Sequence, residues 1–581
     1  MKKNHLQRVL ALALASAMAM GTLTACGGKE EVKESTPATN TETKTETSTE
    51  APADNTPAVA GMEGWEPFAE RVHITVPVYD RGKEGYPAVD DNYWTQWIQT
   101  NFGDKWNIDV EYVAIPRGDV MTKYSMLIAA QDTPTILMEY DYPKVTQWAN
   151  DGAMTTIDLD AFAQVAPTYY NKMVENDQLG YTDVNGETYF ILSERPYYNT
   201  PYSYATFCRM DWLREVGYDH VPQNYEEYSD AIDKIIAAGI CKEPAKLTLP
   251  SQAYIANFAF REFPANEEEW AMHSSLGTPC FAWEPTRDMI YKTNLEYHKG
   301  WYNKEFDLDV EATAGTDAET KFINGELFAF GGYMSANVTW LNAFYEKNPN
   351  AELAVCSDWQ GVDGELQKTP ALRADNPFGM IIGFSSLATE DELKAAWMLM
   401  EWMIQEENLF VLENGEEGVN FEYDENGIAV QINLEGTGNE KMMNHNCNID
   451  MTCLVRAAKK VGTTIEDLIK VNTPQGLPQD FYQQLVDCWY SKQDIANQGM
   501  SYSDPIFAVA IEAESEYSAT LLSLYQEYYA QLVKCDTDKF DELYAELSQK
   551  YLDAGYQEIM DARLEAYKAG QTTKLPAASK K

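Results

Sequence analysis

The sequence predicts an α/β fold in which helices cover the faces of a parallel sheet. Two observations carry this expectation. Between residues 71 and 138, strand-like and helix-like segments alternate with short turns, the pattern of βαβ units. The globular part of the chain is roughly 500 residues long, enough for two or three domains with substantial cores.

The elements follow in order. Residues 71–78 form a strand, with Val72, Ile74 and Val76 on one face and Val78 continuing it. Residues 93–102 form a helix that sets Trp94, Trp97, Ile98 and Phe102 at helical spacing. Residues 108–114 make a second strand. Residues 120–130 make a second helix, with Val120, Tyr124, Leu127 and Ile128 on one face. Asp132-Thr133-Pro134 ends it, and residues 135–138 make a third strand. In such sheets ligands sit beyond the carboxyl ends of the strands. Tyr79, Asp80, Tyr140 and Asp141 are therefore candidate ligand contacts.

The N-terminus reads as an export signal. Lys2, Lys3 and Arg8 precede an uncharged run from Val9 to Met20. That run suits a signal peptide and is too short to span a bilayer. Leu23-Thr24-Ala25-Cys26-Gly27 follows. Small residues there admit a signal peptidase, and the Cys26 thiol can take a diacylglycerol. The segment resembles a bacterial lipobox. The alternative is an ordinary cleavage site with an incidental Cys. Residues 1–25 are then a signal peptide, and residues 26–64 the lipidated Cys and a tether. Threonines alternate there with Glu, Lys, Pro and Ala, so little of it can enter a core.

Composition narrows the function. The formal charge is −47. The discarded signal carries three basic residues and no acid, so the mature charge is about −50, which argues against nucleic acid and anionic lipid as partners. Eight cysteines remain after Cys26. Their spacing is that of no small disulfide scaffold, and buried thiols are an equally good reading. His445, Cys447 and Cys453 lie close in sequence, but not at zinc spacing. The chain has no G-x-S-x-G, no H-E-x-x-H and no phosphate loop, so no metal or cofactor is expected.

A series of motifs resembles one family. They are AQDTPTI (130–136), WANDGAMTTID (148–158), DVNGETYFI (183–191), FCRMDWLREVGYDHVPQNYEEYSDAI (207–232), KFINGELFAFGG (321–332) and GEEGVNFEYDENG (415–427). In that order they are similar to the extracellular solute-binding proteins of ABC importers, family 1, and to their large lipoprotein subgroup often labelled LplA- or LipO-like. Residues 540–568 resemble the subgroup's closing amphipathic helix. Thr135 stands where the family usually has Asp, and Asn224 replaces a capping Thr. Most of these motifs read as structural: Asp211 caps a helix, Trp212 fills a core, and Gly152 and Gly325 allow turns. Residues 434–480 follow no family pattern. Within them RAAKKVGTTIEDLIKVN (456–472) resembles half of a LysM motif, with a plain helix–turn–helix as the favoured alternative.

The resemblance implies a two-lobed periplasmic-binding-protein-like fold of type II, with the ligand cleft between lobes. Lobe 1 is expected to take residues 65–205 and 380–435, and lobe 2 residues 206–379 and 436–581. It implies a monomer, held on the outer face of the cell membrane by its lipid, that captures a small molecule and delivers it to permease subunits. An oligosaccharide is the first ligand class; a peptide or another polar solute is the alternative. A secreted glycan hydrolase, which needs a carboxylate pair, is the rival class. Sugars need flat aromatic faces and polar side chains, and the chain holds 14 Trp and 36 Tyr. The further candidates are Tyr202, Trp283, Tyr333, Trp340, Arg373 and Glu417. Tyr333 and Trp340 are expected in a loop after a strand near 328–332. Arg373 precedes an expected crossing at Pro377-Phe378-Gly379, and a salt bridge is its alternative role.

Overall fold

The structure is a computed structural model. It describes residues 61–581 except 83–86, 196–203, 251–252, 254–266, 276, 309–315, 335–336, 357–371, 374–375, 377, 444–449, 457–460, 463, 475–476, 498–500, 503 and 573–581. The signal, Cys26 and most of the tether lie outside these residues. Among the described residues no helix is long and apolar enough to cross a membrane.

The opening follows the sequence pattern closely. Strand β1 (Val72–Asp80) pairs in parallel with β2 (Ile108–Pro116), and β3 (Ile136–Glu139) follows the helix Val120–Ala130. Between β1 and β2 the helix Tyr93–Ile98 starts on Asn92, whose side chain accepts from Trp94 and Thr95. It runs into a wider turn at Gln99–Gly103. The hairpin β4 (Asp183–Val184) and β5 (Glu187–Thr188) leads to β6 (Ile191–Leu192). Later come β7 (Tyr204–Arg209), β8 (Ala329–Tyr333), β9 (Leu353–Cys356), β10 (Leu372–Arg373) and β11 (Ile381–Phe384). The hairpin β12 (Phe421–Tyr423) and β13 (Ala429–Gln431), then β14 (Ser501–Tyr502), complete the strands.

Only part of the sheet structure is parallel. β3 flanks β1 on the side away from β2: the Thr75 and Thr135 backbone N–H groups each donate to the other's hydroxyl. The Tyr79 hydroxyl reaches Glu139 at an equal offset, so β1 and β3 run the same way. β11 then joins antiparallel to both β3 and β6. The second three-stranded sheet, in the order β8-β7-β9, is antiparallel throughout. Its strands are apolar on both faces. Phe207, Phe330, Leu353 and Val355 enter one core, while Cys208, Phe328, Ala354 and Cys356 enter another. Burial on both faces makes an antiparallel strand read like a parallel one.

The largest core gathers residues between Val72 and Leu192 with Phe378–Leu412, Met451–Val455 and Ile506. A separate, tyrosine-rich core joins Phe281 to Tyr525, Tyr528, Tyr529, Tyr551 and Tyr556. The buried Tyr551 hydroxyl donates to the Pro279 carbonyl at 2.8 Å, which shows how a core can hold so many phenols.

Several expectations need correction. Asp211 does not cap: the helix Met210–Glu215 has Arg209 at its N-cap with no side-chain bond. Instead the Asp211 carboxylate takes a two-pronged bond from Arg209 at 2.9 and 2.7 Å. Trp212 is buried, under the same guanidinium. The closing segment is two helices, Phe540–Tyr551 and Gln557–Lys568, broken at Gly555. Gly555 has φ 114°, and a Cβ there would collide with the Tyr517 ring. Asn224 does cap, accepting from Glu227 N–H at 2.9 Å. Within 456–472 the described helix is Ile465–Val471, capped by Thr464; Arg456 instead bridges to Glu194 and pairs with Glu413.

Candidate functional site

The carboxyl ends of β1, β2 and β3 converge. Asp80 lies opposite Pro116 in the β1–β2 register, so Arg117 follows beside it, and β3 ends at Glu139. Tyr79 is buried within this edge, and its hydroxyl donates to Glu139 Oε2 at 2.8 Å. The other oxygen of Glu139 accepts from the Tyr140 N–H at 2.7 Å. The Arg117 guanidinium stands over the Tyr79 ring, 4.9 Å from its centroid. Arg81 forks onto Asp450, at 2.8 and 2.7 Å, tying the β1 end to the Met451–Val455 segment. Arg195 donates to the Phe378 carbonyl at 2.8 Å.

The electrostatics of this edge are those of a part-buried polar cluster. Burial pushes the Tyr79 and Tyr140 phenols above their ordinary value. Burial works against the charge on Arg117, but Glu139, Tyr79 and Tyr140 outweigh it and hold that guanidinium above its usual value. Asp141 caps the helix Tyr142–Asn150 through Lys144 N–H at 3.1 Å. Burial first, and Glu139 second, push its carboxyl up to about 6.

Two cavities lie among the described residues. One of about 80 Å³ touches Asp141, Lys144, Ser275, Asp504, Glu514 and Arg563. Its charged groups are engaged: Arg563 donates to Glu514 at 2.6 Å and to the Ala271 carbonyl at 2.8 Å, Lys144 donates to Gln147 at 3.0 Å, and Asp504 accepts from the Ser274 hydroxyl. It is also well below the roughly 300–1,000 Å³ typical of ligand pockets. The other, about 390 Å³, runs along β8 and is lined by Tyr228, Lys246, Leu247, Tyr302, Phe330 and Gly331 among others.

The structure brings Tyr79, Asp80, Tyr140 and Asp141 to one edge. Asp80 is exposed and its Oδ1 accepts from Gly82 N–H at 2.8 Å. Tyr140 and Asp141 are half-buried. Tyr79 is 1% exposed, so its ring serves as support for Arg117 rather than as an open face. The other aromatic candidates are not brought here. Trp340 lies on the helix Asn337–Lys347, not in a loop, and packs against Phe207, Phe322 and Phe330 at 3% exposure. Trp283 is buried in the tyrosine-rich core, stacked on His273, with its indole N–H on Glu269 at 2.8 Å. Each of these two rings is enclosed by the core around it, which corrects the expectation of a platform open to solute.

Tyr333 is the last residue of β8, paired with Tyr204. Arg373 sits in β10, opposite Tyr502 of β14. Glu417 is exposed in the turn before β12, bridged to Phe421. Tyr202, Cys26, His445 and Cys447 lie outside the described residues. Cys453 is buried and bonds the Asp450 carbonyl. Sequence reasoning passed over Arg81, Arg117, Arg195 and Asp450. Arg117 was within reach of the rule that found Asp80, because it directly follows a strand end.

Comparison with known proteins places this geometry. No curated protein matches the chain in sequence. Solved structures share its fold at low identity, among them the following three. An alginate-binding protein without its calcium ion is 15% identical, with a TM-score of 0.58 over 87% of this chain and 100% of its own. A solute-binding protein from Bifidobacterium longum infantis, associated with an ABC transporter and described as HMO-binding, is 12% identical, with a TM-score of 0.57 over 86% and 99%. An ABC-transporter substrate-binding protein from S. pneumoniae in complex with kestose is 13% identical, with a TM-score of 0.51 over 86% and 100%. The fold they share is two-lobed, as in periplasmic binding proteins. Residues 88–409 match the family model described as bacterial extracellular solute-binding protein. That span begins just after β1, takes in the whole β2–β3 edge and runs past β11, and by it the chain belongs to the bacterial extracellular solute-binding proteins, a family of binders rather than hydrolases.

Proposed function

We propose that this solute-binding protein captures a carbohydrate, an oligosaccharide before a monosaccharide, and hands it to the permease of an ABC importer. The observation that carries the reading is the β1–β2–β3 edge, where Arg117, Tyr140 and Asp80 offer hydrogen-bonding groups around the buried Tyr79. Hydroxyl-rich solutes need that mixture of donors and acceptors. Among structures of the same fold, one is described as alginate-binding, one as HMO-binding and one as a complex with kestose, which supports the ligand class.

The working cycle is lobe closure. The proposed lobes are residues 65–205 with 380–435, and residues 206–379 with 436–581, except that Met451–Val455 pack into the core of the first and go with it. A ligand that touches both lobes binds the closed form better and shifts the population toward it. The monomer is the proposed unit, because one chain holds both lobes.

A thermal-shift screen tests the reading. Neutral and acidic oligosaccharides are set against di- and tripeptides. A glycan at about a hundredfold over its Kd should add about 2.7 kcal/mol of stability. Peptides that raise the melting temperature while every glycan leaves it unchanged would overturn the ligand class.

The anchor is proposed separately. Cys26 carries the lipid and residues 27–64 hold the body off the outer face of the membrane; two acyl chains give stable attachment where one is marginal. Cys26→Ser should move the protein from the detergent phase to the aqueous phase on partitioning. Unchanged partitioning would sink the lipoprotein reading.

A further inference from the structure

The β1–β2–β3 edge contains a cation whose charge is balanced and whose donors are unengaged. Arg117 makes no hydrogen bond and no ion pair among the described residues; its guanidinium lies over the Tyr79 ring. A guanidinium carries five N–H donors in a rigid plane. Glu139 is near enough to bias it electrostatically. Yet the Glu139 oxygens accept from the Tyr79 hydroxyl and the Tyr140 N–H, and neither is bonded to Arg117. So Glu139 supplies counter-charge without taking the donors. The second arginine of the edge, Arg81, turns Nε and one terminal nitrogen to a fork on Asp450. Tyr140, half-buried next to this group, lies within the field of Arg117 and of Arg195.

This arrangement separates two kinds of ligand. A ligand carboxylate would gain an Arg117 fork but would enter the field of Glu139, Asp450 and Asp80. A neutral pair of hydroxyls accepts the same fork without that repulsion. Burying a donor without a partner costs more than leaving it in water, so a half-buried guanidinium with free N–H groups favours an incoming acceptor.

We infer that Arg117 is a ligand-binding, specificity-determining residue, and that it donates to adjacent hydroxyls of a neutral glycan rather than to a uronate. The inference rests on the carbohydrate reading above. Tyr79 is its positioning residue: the ring lies under the guanidinium, and Glu139 holds the ring through its hydroxyl.

The test uses the mature chain and defined probes: neutral malto-, manno- and fructo-trisaccharides, and the tri-uronates of alginate and pectin. Titration calorimetry is run on wild type, Arg117→Met and Arg117→Lys. Met keeps an apolar stem over Tyr79, and Lys keeps the charge without the fork. A neutral probe should bind wild type more tightly than any uronate, with affinity nearly flat between about 0.05 and 0.5 M salt. R117M should weaken that binding about ten- to hundredfold, R117K should recover only part of it, and the empty R117K variant, which keeps the cation beside Glu139, should melt near wild type. Tighter binding of a uronate, falling with salt, would overturn the neutral class. Neutral binding that is unchanged in both variants would overturn the role of Arg117 and leave the carbohydrate reading standing. Binding of none of the glycans while peptides bind would remove the carbohydrate reading, and this inference with it.

Discussion

Two regions of the molecule carry aromatic residues next to strand ends, and they use them differently. At the β1–β2–β3 edge, Tyr79 is buried, but its hydroxyl and its ring face organise polar neighbours: Glu139 takes the hydroxyl and Arg117 covers the ring. Around the β8-β7-β9 sheet, Phe207, Phe322, Phe330 and Trp340 contact one another, with ring centroids 4.7–6.0 Å apart where they meet Trp340. The first region leaves hydrogen-bonding groups unengaged at its rim; the second turns its rings inward. The difference teaches that an aromatic residue near a strand end says little by itself. What marks a binding surface is polar groups held in place with bonding capacity left over.

The strongest way to break this comparison is to truncate an inward ring. Trp340→Ala removes a side chain that is 3% exposed and in contact with three other rings. The expected loss is roughly 3–5 kcal/mol of stability, because the cavity collapses only in part. Denaturant unfolding of the empty protein reads it directly. If W340A unfolds at the wild-type midpoint and loses ligand affinity instead, Trp340 is a platform and the contrast between the two regions fails.

The sequence made the first region legible and the second only partly so. Period-2 alternation in Val72, Ile74 and Val76, and helical spacing in Val120 and Tyr124, located β1 and the helix Val120–Ala130 to within two residues at each end. Those signals are local, so they survive without tertiary knowledge. The antiparallel order of β8-β7-β9 is set by partners far apart in sequence: Phe207 lies opposite both Phe330 and Val355. Burial on both faces erases the alternation that would have announced it. The same limit applies to the site. Asp80 and Tyr140 could be named because they follow strands. Asp450 could not, since its contact with Arg81 spans 369 residues. Trp340 and Trp283 were indistinguishable from surface rings in sequence, because apolar side chains carry no mark of the direction they face.

A smaller effect sharpens the comparison from the polar side. Asp141 caps the helix Tyr142–Asn150 while burial and Glu139 push its carboxyl up to about 6, from an ordinary 3.8. Its folded state therefore holds a proton more tightly than its unfolded state. Between about pH 4 and 6 this group lowers stability as pH rises; the penalty is complete above 6 and absent below 4. Lys144 opposes the shift and Glu514 adds to it. Asp141→Asn keeps a good capping oxygen for the Lys144 N–H and removes the ionisable carboxyl with its buried charge. The variant should melt higher than wild type at pH 7.5, by roughly 1–3 °C, and the gap should close as the pH falls toward 4. A melting series in matched buffers checks this. A gap that stays constant from pH 4 to 8 would mean that Asp141 acts only as a cap. A wild type that is the more stable at pH 7.5 would mean that its charge is well solvated, and the edge would then be wetter and less able to hold Arg117 ready for a ligand.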